Sequence, residues 1–367
     1  MMAVSFQTAE ERWAALGPYY AMFPLDFVNR VIEQYSRPGQ AILDPFMGRG
    51  SSVYAAATTG RFGVGIEINP VGWLYAKVKL SPAPNALIVE RLKEIAAIKR
   101  VPRLTISSQS KEFFDLCYHK TVQRFLFNAR ENLKWRTSKI DATLMAIILV
   151  YLHGKIGGSL SNQLRQGKAM SPEYSIKWWK ENGYKPPKID PADFLDRRIK
   201  WRYAKGIPSV FPSFVLLGDS MVKIKSLNRR IQKKNIPNFS LLFTSPPYNS
   251  VTNYHYDQWL RLWMLGGPDY PTSTGEYNKG KFEGRELYQA LLEKTFAGCA
   301  KLMKNSAIVY VRTDARLFTF TTTLNALFKA FPKKSVKLVP APYLKKTQTF
   351  LFGDHENKPG EIDIILQ

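Results

Sequence analysis

Thr244-Ser245-Pro246-Pro247-Tyr248 is the stretch of this chain whose residue types define a chemistry most narrowly. Two consecutive prolines donate no backbone hydrogen bond and hold the chain extended, so their carbonyls turn outward as acceptors. An exocyclic amine conjugated with its ring is a poor nucleophile. Acceptors placed at its hydrogens draw the nitrogen toward the tetrahedral geometry that attack on an electrophilic carbon requires. The Ser245 side chain and the Pro246 carbonyl are the expected acceptors, Pro247 keeps the course extended, and Tyr248 offers a face on which a planar ring can stack. A bare Pro-Pro pair would read equally well as a loop with a turn. Here it ends a β-rich run, Ser240 to Phe243.

A second constellation stands near the start. Asp44-Pro45-Phe46-Met47-Gly48-Arg49-Gly50-Ser51 follows the apolar run Gln40 to Leu43 and precedes an Ala-rich helix pattern, Val53 to Thr58. Its glycines let the backbone turn sharply and approach a ligand where a side chain would clash. Glu67 ends the next run, the place where ribose hydroxyls commonly find a carboxylate. A nicotinamide fingerprint would need a third glycine three positions after Gly50, where Val53 stands. Gly218-Asp219-Ser220 ends a further run, and its acid reads either as a cofactor contact or as a helix N-cap.

With these residues the sequence resembles the amino-methylating DNA methyltransferases. Their DPFxGxG loop is matched by Asp44, Pro45, Phe46, Gly48 and Gly50, with Ser51 beside them, and the resemblance makes Glu67 the ribose ligand. Tyr19 to Pro24 is similar to the family's motif X, which closes over the methionine moiety and brings in Phe23 and Pro24. Asp219 and Ser220 look like motif III, whose acid contacts the adenine amine. The resemblance implies S-adenosyl-L-methionine as cofactor, double-stranded DNA as partner and an extruded base stacked on Tyr248. In the family, SPPY preceded by Ser or Thr is typical of N4-cytosine enzymes, whereas Asp-Pro-Pro-Tyr and Asn-Pro-Pro-Tyr are typical of N6-adenine enzymes, so N4 of cytosine is expected. N6-adenine methylation is the first alternative. Guanine-N2 methylation of RNA and a non-catalytic DNA-binding protein with a decayed cofactor fold are the others. Methylation at C5 would need a cysteine nucleophile, normally beside proline, and neither Cys117 nor Cys299 has one. The family also brings in a cognate restriction endonuclease and a cytoplasmic setting of prokaryotic or viral origin.

The elements that must position these residues are β-rich runs: Gln40 to Leu43, Phe62 to Ile66, Phe214 to Leu217, Ser240 to Phe243, Ala307 to Val311, Thr347 to Phe352 and Glu361 to Leu366. Separated by helical patterns, they predict an α/β fold, which the resemblance makes the Rossmann-like class I methyltransferase fold. It has a seven-stranded, mainly parallel sheet with helices on both faces, and its ligands lie at the carboxyl ends of the strands. The spacing breaks at 82–208, a mostly helical, basic insertion, leaving 1–81 and 209–367 as the catalytic domain. From 85 to 205 there are 24 basic against 11 acidic residues, about half of the chain's net charge. Trp178, Trp179, Tyr184, Trp201 and Tyr203 are interleaved with the charges, so the insertion reads as a nucleic-acid contact surface or as a solvated helical face. Lys168, Lys177 and Lys180 are its named DNA-contact candidates. His255, after the proline motif, would reach the extruded base or its orphaned partner, with a structural loop histidine as the plainer reading. Arg312 would meet a phosphate or pair with Asp314.

Composition sets the frame. Across 367 residues the formal net charge is +24, with 45% apolar content. That content can bury a large core, and that charge calls for a polyanionic partner. The longest apolar run, Ala142 to Leu152, is too short for a membrane span and reads as a core helix. Two cysteines without a CxxC or a His/Cys cluster indicate neither a disulfide framework nor a metal site. The amino-terminal residues lack the layout of a secretory signal.

Overall fold

The computed structural model describes residues 6–18, 23–100, 106–249, 254–272, 284–341 and 360–367. They form two units: residues 20–76, 210–253 and 279–367 in one, and residues 1–19, 77–209 and 254–278 in the other.

The first unit is built on a seven-stranded sheet in the order β3-β2-β1-β4-β5-β7-β6. Its strands are β1 (Ala41–Asp44), β2 (Phe62–Glu67), β3 (Phe214–Leu217), β4 (Phe239–Thr244), β5 (Met303–Asp314), β6 (Val336–Ala341) and β7 (Glu361–Leu366). β1 to β5 pair in parallel, and β7 runs antiparallel between β5 and β6. A seven-stranded, mainly parallel sheet was expected from the sequence. One of its strands differs from expectation. Among the described residues β7 pairs with Val336–Ala341, a segment whose alternating Val-Lys-Leu and near-terminal Pro340 suit an edge strand. Thr347 to Phe352 lies outside the described residues.

Period-two alternation along the central strands divides the core between two faces. Leu242, Val309, Val311 and Ile364 point to one side, under helices Ser220–Gln232, Arg285–Ala300 and Leu317–Ala330. Leu241, Phe243, Tyr310 and Ile365 point to the other, under Leu25–Tyr35 and Ser51–Thr58. The second helix presents alanines, Ala55 and Ala56, each wholly buried, so its backbone lies close to the sheet and the loop that starts it is held firmly.

The second unit is helical. Lys139–Tyr151, buried from Asp141 through Val150, is the core helix that the apolar run foretold. The Ser138 hydroxyl caps it by accepting from the Asp141 N–H at 3.1 Å, and Arg91 donates to Asp141 at 2.8 Å. This unit takes in more than the 82–208 insertion. The described residues 6–18 and 254–272, placed from sequence in the catalytic domain, cluster with this unit. Trp13, fully buried, donates its indole N–H to the Gly206 carbonyl at 3.2 Å and sets its ring edge-on to Tyr203. Trp259 donates to the Met170 carbonyl at 3.1 Å, and Arg261 donates to the Leu149 carbonyl at 3.0 Å. Large amphipathic side chains, not sequence distance, decide which unit those segments join. No helix among the described residues is long and apolar enough to cross a membrane.

Candidate functional site

The site lies at the carboxyl ends of β1, β2 and β4, with β7 entering beside β5, and Asp44 is its hub. This side chain is 2% exposed and accepts three hydrogen bonds: from the Phe46 N–H at 3.0 Å, from the Ser52 hydroxyl, and from the Thr244 hydroxyl at 2.6 Å. The loop after β1 and the motif after β4, two hundred residues apart in sequence, therefore share one carboxylate. Burial raises the Asp44 carboxyl to about 6, against the pull of those three donors.

The turn after Asp44 is made by glycines in the left-handed region, with φ of 54° at Gly48 and 76° at Gly50. Gly50 is also the N-cap of helix Ser51–Thr58, and a Cβ placed on it would stand 2.5 Å from the Ala76 Cβ. Gly50→Ala is accordingly expected to destabilise the fold by about 2–4 kcal/mol, strain and overlap acting together. Urea unfolding measures this, and a loss under about 0.5 kcal/mol would contradict the close packing. Gly72 makes the other close approach, since a Cβ there would meet the Gly48 carbonyl oxygen at 2.7 Å and Glu67 Cγ at 3.2 Å.

Glu67 ends β2 with its side chain turned into this loop. It accepts from the Asn69 N–H at 2.7 Å and from the backbone of Gly48. Burial, with a smaller contribution from the Asp44 charge, pushes its carboxyl up to about 8 from an ordinary 4.5. The folded protein thus holds a proton here that the unfolded chain releases. The resulting stability is present in full below about pH 4.5 and is lost as pH rises through 8. Glu67→Gln should flatten the fall of stability between pH 5 and 8 (an interval set by that shift), measurable as denaturation midpoints across that range. Equal slopes for the two proteins would refute the assignment.

The residues after β3 support the same loop. The Ser220 hydroxyl donates to the Pro45 carbonyl at 2.5 Å, so Ser220 braces the loop. Asp219 accepts from the Met221 N–H at 2.7 Å as the N-cap of helix Ser220–Gln232, the plainer of its two readings. Phe23 lies flat on Phe243, ring centroids 5.3 Å apart and planes 7° from parallel, and Pro24 starts helix Leu25–Tyr35. Tyr19 to Met22, the rest of the motif X stretch, lies outside the described residues. Phe46 packs against the sheet core and Ser51 opens its helix.

β4 ends in the fully buried Thr244, and 245–248 continue with neither helix nor strand, as the two prolines require. Ser245 donates to the Tyr248 hydroxyl at 3.4 Å, and Tyr248 donates to Glu361 Oε1 at 2.7 Å. Sequence reasoning did not find Glu361, the first residue of β7. Its only local signal was its place at the head of a strand-like run.

The DNA-contact candidates fare differently. Arg312 pairs with Asp363 rather than Asp314, and pairs in bidentate fashion, Nε at 2.6 Å and Nη2 at 2.8 Å, over the Phe27 ring. Only 13% of its side chain is exposed, and Asp363 holds its guanidinium in place. Asp314 pairs with Arg316 instead. In the helical unit Lys168 bridges Asp257 at 2.6 Å, Lys180 bridges Glu112 at 2.6 Å, and Lys177 faces Glu181 at 3.9 Å. Of the interleaved aromatics, Trp179 is fully buried and Tyr203 donates to the Ala83 carbonyl at 2.5 Å, while Trp178 stacks on Tyr184 at 4.9 Å. Trp201 is 39% exposed and carries Arg202 over its ring. The His255 side chain lies outside the described residues.

The loop residues fit the methyl donor that the resemblance implies. Gly50 and Gly72 lack the side chains that would fill the turn, and Glu67 brings a carboxyl group to the edge where ribose hydroxyls would bond. The comparisons with known proteins agree with that chemistry. A profile of the DNA methylase family matches residues 5–74, which contain the β1 loop, Glu67 and Gly72. The type II methyltransferase M.MthZI of Methanothermobacter thermautotrophicus is 41% identical over 49 residues, covering 13% of this chain and 14% of that protein. The type II methyltransferase M.MjaII of Methanocaldococcus jannaschii is 30% identical over 96 residues, 26% of this chain and 16% of that protein. The matched stretches thus span 14% and 16% of these relatives' lengths. Among solved structures, the rRNA methyltransferase aviRa from Streptomyces viridochromogenes shares 10% identity with a TM-score of 0.35, covering 98% of this chain and 93% of that one. A TehB-like SAM-dependent methyltransferase from Corynebacterium glutamicum shares 8% identity with a TM-score of 0.33, covering 93% and 86%.

Proposed function

We propose, from the premise that residues 5–74 belong to the N6/N4 family of DNA methylases, that this protein methylates an exocyclic amine of a base in double-stranded DNA. S-adenosyl-L-methionine is the donor and N4 of cytosine the acceptor. The observation that carries the reading is the Thr244–Asp44 hydrogen bond of 2.6 Å, which ties the amine-binding motif to the cofactor loop through one buried carboxylate. When bound, the cofactor supplies an electrophilic methyl group on a sulfonium. Glu67 receives the ribose hydroxyls, and the backbone at Gly48 and Gly50 admits the donor closely. Tyr248 stacks on the extruded base while Ser245 and the Pro246 carbonyl accept the amine's two hydrogens and turn its lone pair toward the methyl. The surplus proton passes from the cationic nitrogen to water after the transfer, so no strong base is needed. Both cysteines are fully buried, and burial pushes both thiols up, which supports an amine rather than ring carbon C5 as the acceptor.

Cytosine follows from Ser245, which stands where adenine enzymes of the family have Asp or Asn. Labelling DNA and RNA side by side and digesting each to nucleosides decides the matter. N4-methylcytosine from DNA is expected, label in N6-methyladenine would move the assignment to adenine, and label in RNA would replace the substrate.

Recognition of DNA is assigned to the basic helical unit. Its candidate lysines Lys177 and Lys180 are paired with acids, but exposed pairs of this kind are worth about 0–1 kcal/mol and exchange readily for phosphate. Lys177→Glu with Lys180→Glu should weaken DNA binding about tenfold or more at low salt and reduce the salt slope by about two, with cofactor affinity unchanged. Fluorescence anisotropy across a salt series measures both, and unchanged DNA affinity would remove this surface from the reading.

A further inference from the structure

We propose that Glu361 is a positioning residue that sets the polarity of the hydrogen-bond chain ending at Ser245, an inference that rests on the amino-methylation reading above. The chain runs from Ser245 Oγ to the Tyr248 hydroxyl, 3.4 Å, and from that hydroxyl to Glu361 Oε1, 2.7 Å. A hydroxyl has one hydrogen to give, and an ionised carboxylate can only accept. With Glu361 at its end the chain has one direction. Tyr248 donates to Glu361, its oxygen is left to accept from Ser245, and Ser245 therefore spends its hydrogen on Tyr248. What Ser245 then shows an incoming amine is lone pairs and not its own O–H. That is the presentation amine methylation needs, since a Ser245 hydrogen pointing at the amine would compete for the very lone pair that must attack.

The carboxylate is held in this role by a cross-strand arrangement. Asp363 lies directly opposite Arg312 in the antiparallel β5–β7 pair and fixes its guanidinium through two hydrogen bonds of 2.6 and 2.8 Å. Arg312 Nη1 then stands 3.6 Å from Glu361 Oε2, the oxygen that Tyr248 does not use. One oxygen of Glu361 thus faces a fixed cation and the other faces the motif. Tyr310 donates to the same Asp363 at 2.6 Å, so β5 and β7 share the anchor. The arrangement also accounts for a tyrosine in the motif where phenylalanine would stack equally well. Its hydroxyl is the link between the acceptor serine and a carboxylate 113 residues further along the chain.

Glu361→Gln keeps the shape while allowing the side chain to donate as well as accept, so it removes the enforced direction. Expected are a fall in kcat of about tenfold on DNA, an unchanged KM for S-adenosyl-L-methionine and an unchanged denaturation midpoint. In a Tyr248→Phe background the same substitution should be silent, because the link is already cut. A second readout needs no turnover. The tyrosine Raman doublet, taken as the difference between wild type and Tyr248→Phe, should report a strong hydroxyl donor that Glu361→Gln weakens. Full kcat in Glu361→Gln, losses that add in the double variant, or a Raman difference that Glu361→Gln leaves unmoved would each overturn the role of Glu361. Wild-type protein that methylates no DNA or RNA would instead overturn the amino-methylation reading, and the Raman comparison would still decide whether Glu361 directs Tyr248.

Discussion

Ser245→Ala is expected to lower kcat for methyl transfer to DNA by about 10²–10³-fold, the usual cost of removing one preorganised partner at the reacting centre. Cofactor affinity and folding stability should stay near wild type, because Ser245 is only partly buried and bonds within its own motif to Tyr248. The split matters more than the size. A side chain that only held the loop in place would, when truncated, weaken cofactor binding and lower the denaturation midpoint together. Single-turnover transfer of labelled methyl, read beside cofactor titration of the same preparation, separates the two. Full activity in Ser245→Ala would remove Ser245 as an amine acceptor and leave the Pro246 carbonyl alone in that role.

The largest combined effect should come from Asp44→Ala. Three donors, the Phe46 N–H and the hydroxyls of Ser52 and Thr244, converge on this buried carboxylate, and all would lose their acceptor at once. Leaving buried donors unsatisfied costs about 1–3 kcal/mol each, and relaxation would recover part, so a loss of about 3–5 kcal/mol is expected. Cofactor affinity should fall at least about 100-fold, since the turn through Gly48 and Gly50 loses the group that shapes its start. Thr244→Val provides the contrast. It removes one donor and leaves two, so it should cost about 1–2 kcal/mol, lower the transfer rate and spare cofactor binding. Equal cofactor affinities in Asp44→Ala and wild type, measured by calorimetry, would show that Asp44 does not shape the cofactor loop.

Much of the site was legible in the residues because its demands are local. A turn that needs positive φ writes itself as glycine, and Gly48 and Gly50 adopt that conformation. An extended segment without N–H donors writes itself as Pro246-Pro247, and a strand buried on both faces shows as the continuous apolar run Leu241 to Phe243. Six of the strands fell on those runs, whereas β6, mostly exposed at the sheet edge, was not read as a strand and the order of the strands came only with the structure. The match to a DNA methylase profile covers residues 5–74, which hold the glycine turn and Glu67.

What the sequence by itself determined was therefore the kind of chemistry: a glycine turn closed by acids, and a proline-braced acceptor. Tertiary structure alone decided which distant groups share a hydrogen bond. Thr244 meets Asp44 because β1 and β4 are neighbours, and Glu361 meets Tyr248 because β7 enters antiparallel beside β5. Arg312 takes Asp363 rather than Asp314, although both lie on its face of the sheet, because Asp363 stands directly opposite it in the register and Asp314, two residues further along the strand, pairs with Arg316. Residues 6–18 and 254–272 join the helical unit because Trp13, Trp259 and Arg261 find their partners there. Backbone conformation is encoded residue by residue, whereas a side chain's partner depends on register and strand order, which exist only once the whole sheet has formed.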